Sequence, residues 1–298
     1  MLELTTSVFT LNELMGADIS AYDSIYLGDP FCRAYPENLS DNEESLKNAV
    51  DLLRKKNKKV YVSTYAVPRN GDLDAVRKTL NICQSLNIDA VEVHNFGVLR
   101  IARAEFPNLK VHMGNLANIY TLATALILKN EGAKRIMGNY ELCLDELLEL
   151  KDKSGIQLEL LVHGKMVLGI SESCLLKNWI KGLSGDCKEL CRSNYYLRSS
   201  KMTLKSFGFV TLSGKDACMI ERLPVLLKKG FCIFRIETFG EKREYVGKVG
   251  RIYREALSKA KEPGYDPSEY LKVLNNLSPH GFCNGYYFAT SGQKYISL

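Results

Sequence analysis

Short apolar, β-branched runs return along this chain at a spacing that leaves room for one amphipathic helix between neighbours. The runs are SIYLGD (24–29), KVYVSTY (59–65), AVEVHNF (90–96), LKVHMGN (109–115), KRIMGN (134–139), QLELLVHG (157–164) and CIFRIET (232–238), with LELTTSV (2–8) opening the series. The segments between them include EESLKNAVDLLRKKN, DLDAVRKTLNICQSLN and IYTLATALILKNEG. In these, apolar residues recur at three and four positions, and Gly or Asn closes each segment, as in helices. In the first, Leu46, Ala49, Val50 and Leu53 make one apolar stripe. A parallel strand pair needs a crossover long enough to hold a helix, so this alternation implies an α/β fold on a parallel sheet. The first repeat lacks the G-x-G-x-x-G loop of a dinucleotide-binding open sheet. Seven or eight strands in 298 residues favour closure into a (β/α)8 TIM-barrel-like domain.

The strand ends support that closure. They finish on Gly28-Asp29, Ser63-Thr64, His94-Asn95, Gly114-Asn115, Gly138-Asn139, His163-Gly164 and Glu237-Thr238. Polar residues gathered at the C-terminal ends of barrel strands are where barrel active sites are built. The alternation breaks between about 165 and 212, where a long βα-loop insertion is expected on that same face. The organisation expected is a barrel over 1–262 carrying the 165–212 insertion, then a C-terminal extension over 263–298 packed on the barrel.

Composition excludes several classes. Hydrophobic residues are 46% and charged residues 25%, ordinary for a globular chain that buries its own core. The net charge of +6 permits an anionic ligand or RNA without amounting to a polybasic tail. MLELTTSVFT has no basic n-region, and no run of eighteen apolar residues occurs, so no signal peptide or membrane span is expected. The expected location is cytoplasmic. There, nine cysteines are more readily free, metal-bound or redox-active than paired as disulfides.

Three of those cysteines, Cys174, Cys187 and Cys191, fall inside the insertion. A fourth thiolate would come from Cys32, in LGDPFCRAYP, or Cys218, in SGKDACMIERLP. Cys83 and Cys143 lie on helical apolar stripes and Cys232 opens a strand, so these three are expected in the core, as small hydrophobes; Cys283 is open. Four thiolates suit tetrahedral zinc or a [4Fe–4S] cluster. One short pair with distant partners fits a cluster better than paired zinc knuckles; unligated thiols are the remaining alternative.

The segment LELLVHGKMVLGISESCLLKNW (158–179) resembles the signature of the collagenase-like peptidases, peptidase family U32: a strand ending His-Gly, then small residues leading to Ser-x-x-Cys-Leu-Leu. LSGKDACMIERLPVLLKKGFCIFRIET, REYVGKVGRIYREAL and PHGFCNGYYF resemble its later blocks. IYLGDPFCRAYPENLS and KKVYVSTYAV are most similar to the iron–sulfur branch that acts in O2-independent hydroxylation of the ubiquinone ring. Carried over by position, that branch implies a [4Fe–4S] cluster on Cys32, Cys174, Cys187 and Cys191. Other branches, which hydroxylate tRNA or ribosomal RNA, use a cysteine where this chain has Val167 and one at the position of Cys218, which leaves Cys218 as the alternative fourth ligand. The family's Glu-Gly-Arg is reduced here to Glu237 in IETFGEKRE.

The resemblance implies hydroxylation of a quinone precursor or an RNA base. Prephenate is implied as oxygen donor, and a second family member as a possible heterodimer partner. Lys165, Arg192, Lys215 and Arg235 lie near the motif residues and are candidates to bind a dianionic donor. His163 and Glu237 are candidates for proton transfer. Against a peptidase stands the lack of G-x-S-x-G or H-E-x-x-H, leaving only a Cys–His pair such as a loop cysteine with His163. A non-catalytic, electron-carrying or scaffolding subunit is the third reading.

Overall fold

The computed structural model describes residues 2–32, 35, 37–179, 190–193 and 195–297. Twelve strands are present among them: β1 Glu3–Val8, β2 Ser24–Leu27, β3 Lys59–Ser63, β4 Ala90–Val93, β5 Val111–Met113, β6 Ala133–Met137, β7 Gln157–Ile170, β8 Tyr195–Arg198, β9 Thr203–Phe207, β10 Val210–Cys218, β11 Ile233–Glu237 and β12 Phe282–Cys283. β1 to β7 pair in sequence order, all parallel. β11 pairs parallel with β7 and then with β1, which closes an eight-stranded barrel. The expected fold class is thus the observed one.

The helix Glu43–Lys55 shows how the crossovers form. Asn42 caps it, its Oδ1 accepting from the Ser45 amide at 2.9 Å. Glu43 and Glu44 occupy the first turn and Arg54 and Lys55 the last, each sign matching the helix dipole. The chain leaves through Asn57 at φ 54°, with the Lys58 amide bonded back to the Leu53 carbonyl. Leu46, Ala49, Val50 and Leu53 are fully buried against the sheet. Burying one such leucine contributes about 2 kcal/mol.

The outward-facing residues of the strands and the inner faces of the helices form one apolar shell, which includes Ile25, Val60, Val91, Val111, Ile136, Leu158 and Phe234. Barrel interiors are usually filled by Val, Ile and Leu. This one is filled instead by charge, as described below.

The break at 165 has a structural form. β7 does not stop at Gly164 but continues to Ile170, and β10, β9 and β8 add to it as an antiparallel sheet. At the point of departure Gly164 has φ +105°, and a Cβ there would lie 2.0 Å from the Glu237 carbonyl oxygen. Only glycine lets β7 stay this close to β11 while turning off the barrel wall. After the helix Arg243–Lys259 comes a C-terminal segment with the helix Ser268–Leu277. It returns to the sheet through β12 on β10 and through the Tyr287 hydroxyl, which donates to the Leu161 carbonyl at 2.6 Å.

Candidate functional site

The barrel interior is an ion network built on the inward side of alternate strand positions. Arg235, on β11, is wholly buried. Its Nη2 lies 2.8 Å from Glu92 Oε1, its Nε donates to Glu159 Oε1 at 3.0 Å, and its Nη1 reaches Glu237 Oε1 at 3.4 Å. Its guanidinium carbon sits 3.7 Å from the centre of the Tyr26 ring. Arg135, on β6, grips Glu3 with both Nη atoms at 3.1 and 2.9 Å. Tyr61 and Ser24 donate to Glu3 Oε1, each at 2.7 Å. Thr5 and Tyr26 donate to Glu159 at 2.6 and 2.8 Å, and Ser63 donates to Glu92 at 2.7 Å.

These partners set the titration of Glu3, Glu92 and Glu237. Burial opposes the Glu3 carboxylate, but Arg135, Tyr61 and Ser24 bring it down to about 2. Glu92 is held further below its ordinary range, Arg235, His94 and Ser63 outweighing its burial. Glu237 goes the other way: burial raises it to about 8, and Arg235, already engaged by Glu92 and Glu159, offsets only part of this. Glu237 is therefore protonated at neutral pH where Glu3 and Glu92 are ionised. Above β4, His94 is buried with neither ring nitrogen hydrogen-bonded among the described residues, its Nε2 3.6 Å from Glu92 Oε2. The buried hydroxyl of Tyr140 also has no hydrogen-bond partner among the described residues.

An aromatic plug covers the C-terminal mouth. Phe9 follows β1, Phe31 follows β2, Phe239 follows β11, and Phe207 ends β9. Phe9 stacks on Phe239 at 5.3 Å, Phe31 meets Phe239 edge-on at 5.0 Å, and Phe207 lies 6.3 Å from Phe9. Thr10 and Glu13 form a capping box, and Glu13 Oε2 also accepts from the Phe9 amide, which fixes that ring's entry. Asn38 accepts from the Asp29 amide and Asp29 from the Phe31 amide, each at 2.8 Å, which orders the loop before Cys32.

The insertion thiols sit on this plug. Cys191 packs against the same cluster as the phenylalanines. The β9–β10 turn, Gly208-Phe209, holds the Cys174 segment by two bonds: the Leu175 amide to the Gly208 carbonyl at 3.0 Å and the Ser171 amide to the Phe209 carbonyl at 2.8 Å. A Cβ on Gly208, at φ +70°, would lie 3.6 Å from Cys174 Sγ and 4.0 Å from Cys191 Sγ. Two sulfurs thus converge on a hollow that glycine keeps open. Cys32 adjoins Phe31 of the plug, and Cys187 lies outside the described residues. Among the described residues, no three Cys, His, Asp or Glu side chains gather as a metal site. Cys174 and Cys191 at the Gly208 hollow supply two thiol donors of the kind that a soft metal or a cluster takes.

The other candidates are placed differently. Cys218 is fully buried in the outer apolar shell, 3.7 Å from the Tyr253 hydroxyl, and burial pushes its thiol up to about 12. Its neighbour across the sheet, His163, packs against Tyr245, Tyr253 and Phe282, and burial lowers its ring to about 4. It does not share the interior with Glu237. Lys165 donates to Asp216 at 2.7 Å and Gly214 at 3.0 Å, Lys215 donates to the Gln293 carbonyl at 2.8 Å, and Arg235 is spent inside the barrel. These three therefore do not form one cationic pocket. Arg192 closes the short turn Leu190–Arg192, and its side chain lies outside the described set. Cys83 and Cys283 are buried, whereas Cys143 and Cys232 are half-buried, so the expected core placement holds for Cys83 alone of the three helical and strand cysteines.

Sequence reasoning found Arg235 and Glu237 and placed His94 at a strand end on the active face, but missed Glu3, Glu92, Glu159, Arg135 and Tyr140. A signal was there: Glu3, Glu92 and Glu159 each interrupt an apolar strand, a costly placement unless a partner waits inside.

Comparison with known proteins agrees with the barrel fold. The chain is 32% identical to an uncharacterized protease of Methanocaldococcus jannaschii, over 97% of this chain and 73% of that protein. It is 28% identical to tRNA hydroxylation protein P of Helicobacter pylori, over 82% of this chain and 61% of that one. A solved U32 peptidase superposes with a TM-score of 0.52 at 14% identity, over 81% of this chain and 94% of that one, a likeness of fold. The family model for peptidase family U32 matches residues 10–297. The chain belongs to peptidase family U32.

Proposed function

We propose that this protein acts in O2-independent hydroxylation of a nucleobase in RNA, with a [4Fe–4S] cluster held by Cys32, Cys174, Cys187 and Cys191. The observation that carries the reading is the convergence of Cys174 and Cys191 at Gly208, on the plug that covers the Glu237 chamber. The relative named for tRNA hydroxylation supports the substrate class. When bound, a cluster would pass electrons one at a time, while the hydroxyl would come from an organic donor of the prephenate class that takes a hydrogen in exchange, R–OH + Ar–H giving R–H + Ar–OH. The chain's own residues do the rest. The plug keeps water from the barrel. Glu237, neutral near pH 7, holds a proton on a carboxyl whose Oε2 lies 3.5 Å from Ser7 Oγ. Arg235 orients that carboxyl through Oε1.

The peptidase reading fares worse. A cysteine nucleophile needs a depressed thiol pKa and a nearby base. Here His163, the base a loop cysteine would need, is buried against Tyr245, Tyr253 and Phe282, and the thiol across the sheet from it is Cys218, raised by burial to about 12.

The test is a nucleoside digest of tRNA and ribosomal RNA from anaerobically grown cells with and without the gene, read by mass spectrometry beside the quinone pool. A hydroxylated nucleoside lost with the gene and restored by the wild-type copy is expected. Unchanged nucleosides with a hydroxylated quinone missing would move the activity to the ring of a quinone precursor.

A further inference from the structure

Beside the plug, at the C-terminal ends of β5, β6 and β7, lies a cavity of about 530 Å³. We infer that this cavity receives the substrate nucleobase, flipped out of its RNA strand; the inference rests on the hydroxylation reading above and assigns its substrate site. That volume falls in the ordinary range for small-ligand pockets. Tyr120, Tyr140 and Tyr286 supply aromatic surface and Asn115 and Asn139 supply amides, while the extension of β7 at Val167 forms the opposite wall.

Each part has a reason to be there. Tyr120 is 41% exposed, and its hydroxyl is tied to Glu141 Oε2 at 2.7 Å, which holds the ring edge. Asn139 Oδ1 accepts from the Glu141 amide at 3.0 Å, which fixes the side chain with its NH2 as the remaining donor. Tyr140 is nearly buried with its hydroxyl unpartnered among the described residues, and it packs in one cluster with Phe9, Phe31 and Phe239 of the plug. It therefore joins the cavity to the plug. The wall Val167–Ile170 runs on along the chain toward Cys174, four residues further.

The chemistry selects the class of ligand. Aromatic faces with amide donors and acceptors recognise an unstacked base by stacking and by its hydrogen-bonding edge. The charged side chain lining the cavity is Glu141, an acid, which disfavours a phosphate or dicarboxylate inside it. A neutral planar ring fits, with the sugar–phosphate chain left outside the mouth.

The test uses the full chain, purified without oxygen, and total tRNA from cells lacking the gene, with binding measured by filter retention. Tyr120→Ala and Asn139→Ala should each weaken binding, the first by about tenfold, as expected for losing one stacking partner. Tyr120→Phe, which keeps the ring but not its tie to Glu141, should lose less than Tyr120→Ala, and Val273→Ala on the helix Ser268–Leu277 should bind like wild type. Tyr120 is exposed, so its replacement leaves the fold intact, which circular dichroism checks. Wild-type affinity in both alanine variants would overturn the cavity assignment and leave the hydroxylation reading standing. No retention of tRNA by the wild-type protein overturns the assignment too, and if nucleoside hydroxylation also survives deletion of the gene, the hydroxylation reading falls with it.

Discussion

Glu237 sits two residues after Arg235 on the same face of β11, its Oε1 3.4 Å from the guanidinium, and yet its carboxyl is raised to about 8. Arg235 is already shared between Glu92 and Glu159, so burial wins at Glu237.

The first prediction is a pH dependence of stability. A carboxyl whose folded value lies above its unfolded value binds more protons in the native state. Its stabilising effect is complete below about 4.5 and is lost as pH rises toward about 8. The Glu237 contribution to the unfolding free energy should therefore fall across that interval by an amount on the order of a few kcal/mol, against an opposite contribution from buried His163, whose ring, lowered to about 4, adds stability as pH rises toward 6.5. Glu237→Gln, which mimics the protonated form, should flatten this slope while leaving stability at pH 5 nearly unchanged. Urea titrations at several pH values measure both.

Removing Arg235 should be far more damaging than replacing Glu237. Arg235→Met leaves Glu92 and Glu159 without their shared cation inside the barrel, a loss of about 3–5 kcal/mol. Arg235→Lys should rescue little, because an ammonium cannot span three carboxylates or stack on Tyr26. The denaturant midpoint of each variant checks this. Equal stability of Arg235→Lys and wild type would mean the fork geometry is unimportant.

The barrel strands were legible because every outward strand residue packs on helices, so apolar runs alternate with amphipathic ones. The interior was harder to read. Glu3, Glu92 and Glu159 look like isolated polar intrusions until closure brings Arg135 and Arg235 to them from strands over 70 residues away. The extension of β7 past His163-Gly164 was also hidden, because Gly164 reads as a strand end and only the approach of Glu237 shows it is a bend. His163 illustrates the opposite error. A strand-end histidine promises chemistry, but the β7–β10 pairing turns it toward Tyr253 and the apolar shell.

Thiol mapping should separate the cysteines. In metal-free native protein, Cys174 and Cys143, both half-buried, should alkylate with iodoacetamide, while Cys83 and Cys218 react only after unfolding. Loading with iron and sulfide should then protect Cys174 and leave Cys143 reactive. Peptide mass spectrometry reads each site.

Gly208 should matter for the cluster more than for the fold. Gly208→Val forces a branched residue into positive φ, at a cost of about 1–2 kcal/mol, and pushes its methyls between the two sulfurs. The variant should keep its circular dichroism spectrum and lose most of its iron.

The most direct measurement is the iron and acid-labile sulfide content of anaerobically purified protein, taken with its absorption and low-temperature paramagnetic resonance spectra. The account predicts brown protein with about four irons and four sulfides per chain, lost in Cys174→Ala, Cys187→Ala, Cys191→Ala and Cys32→Ala but kept in Cys218→Ala. Colourless protein carrying stoichiometric zinc, or iron that survives Cys174→Ala and Cys191→Ala, would contradict it.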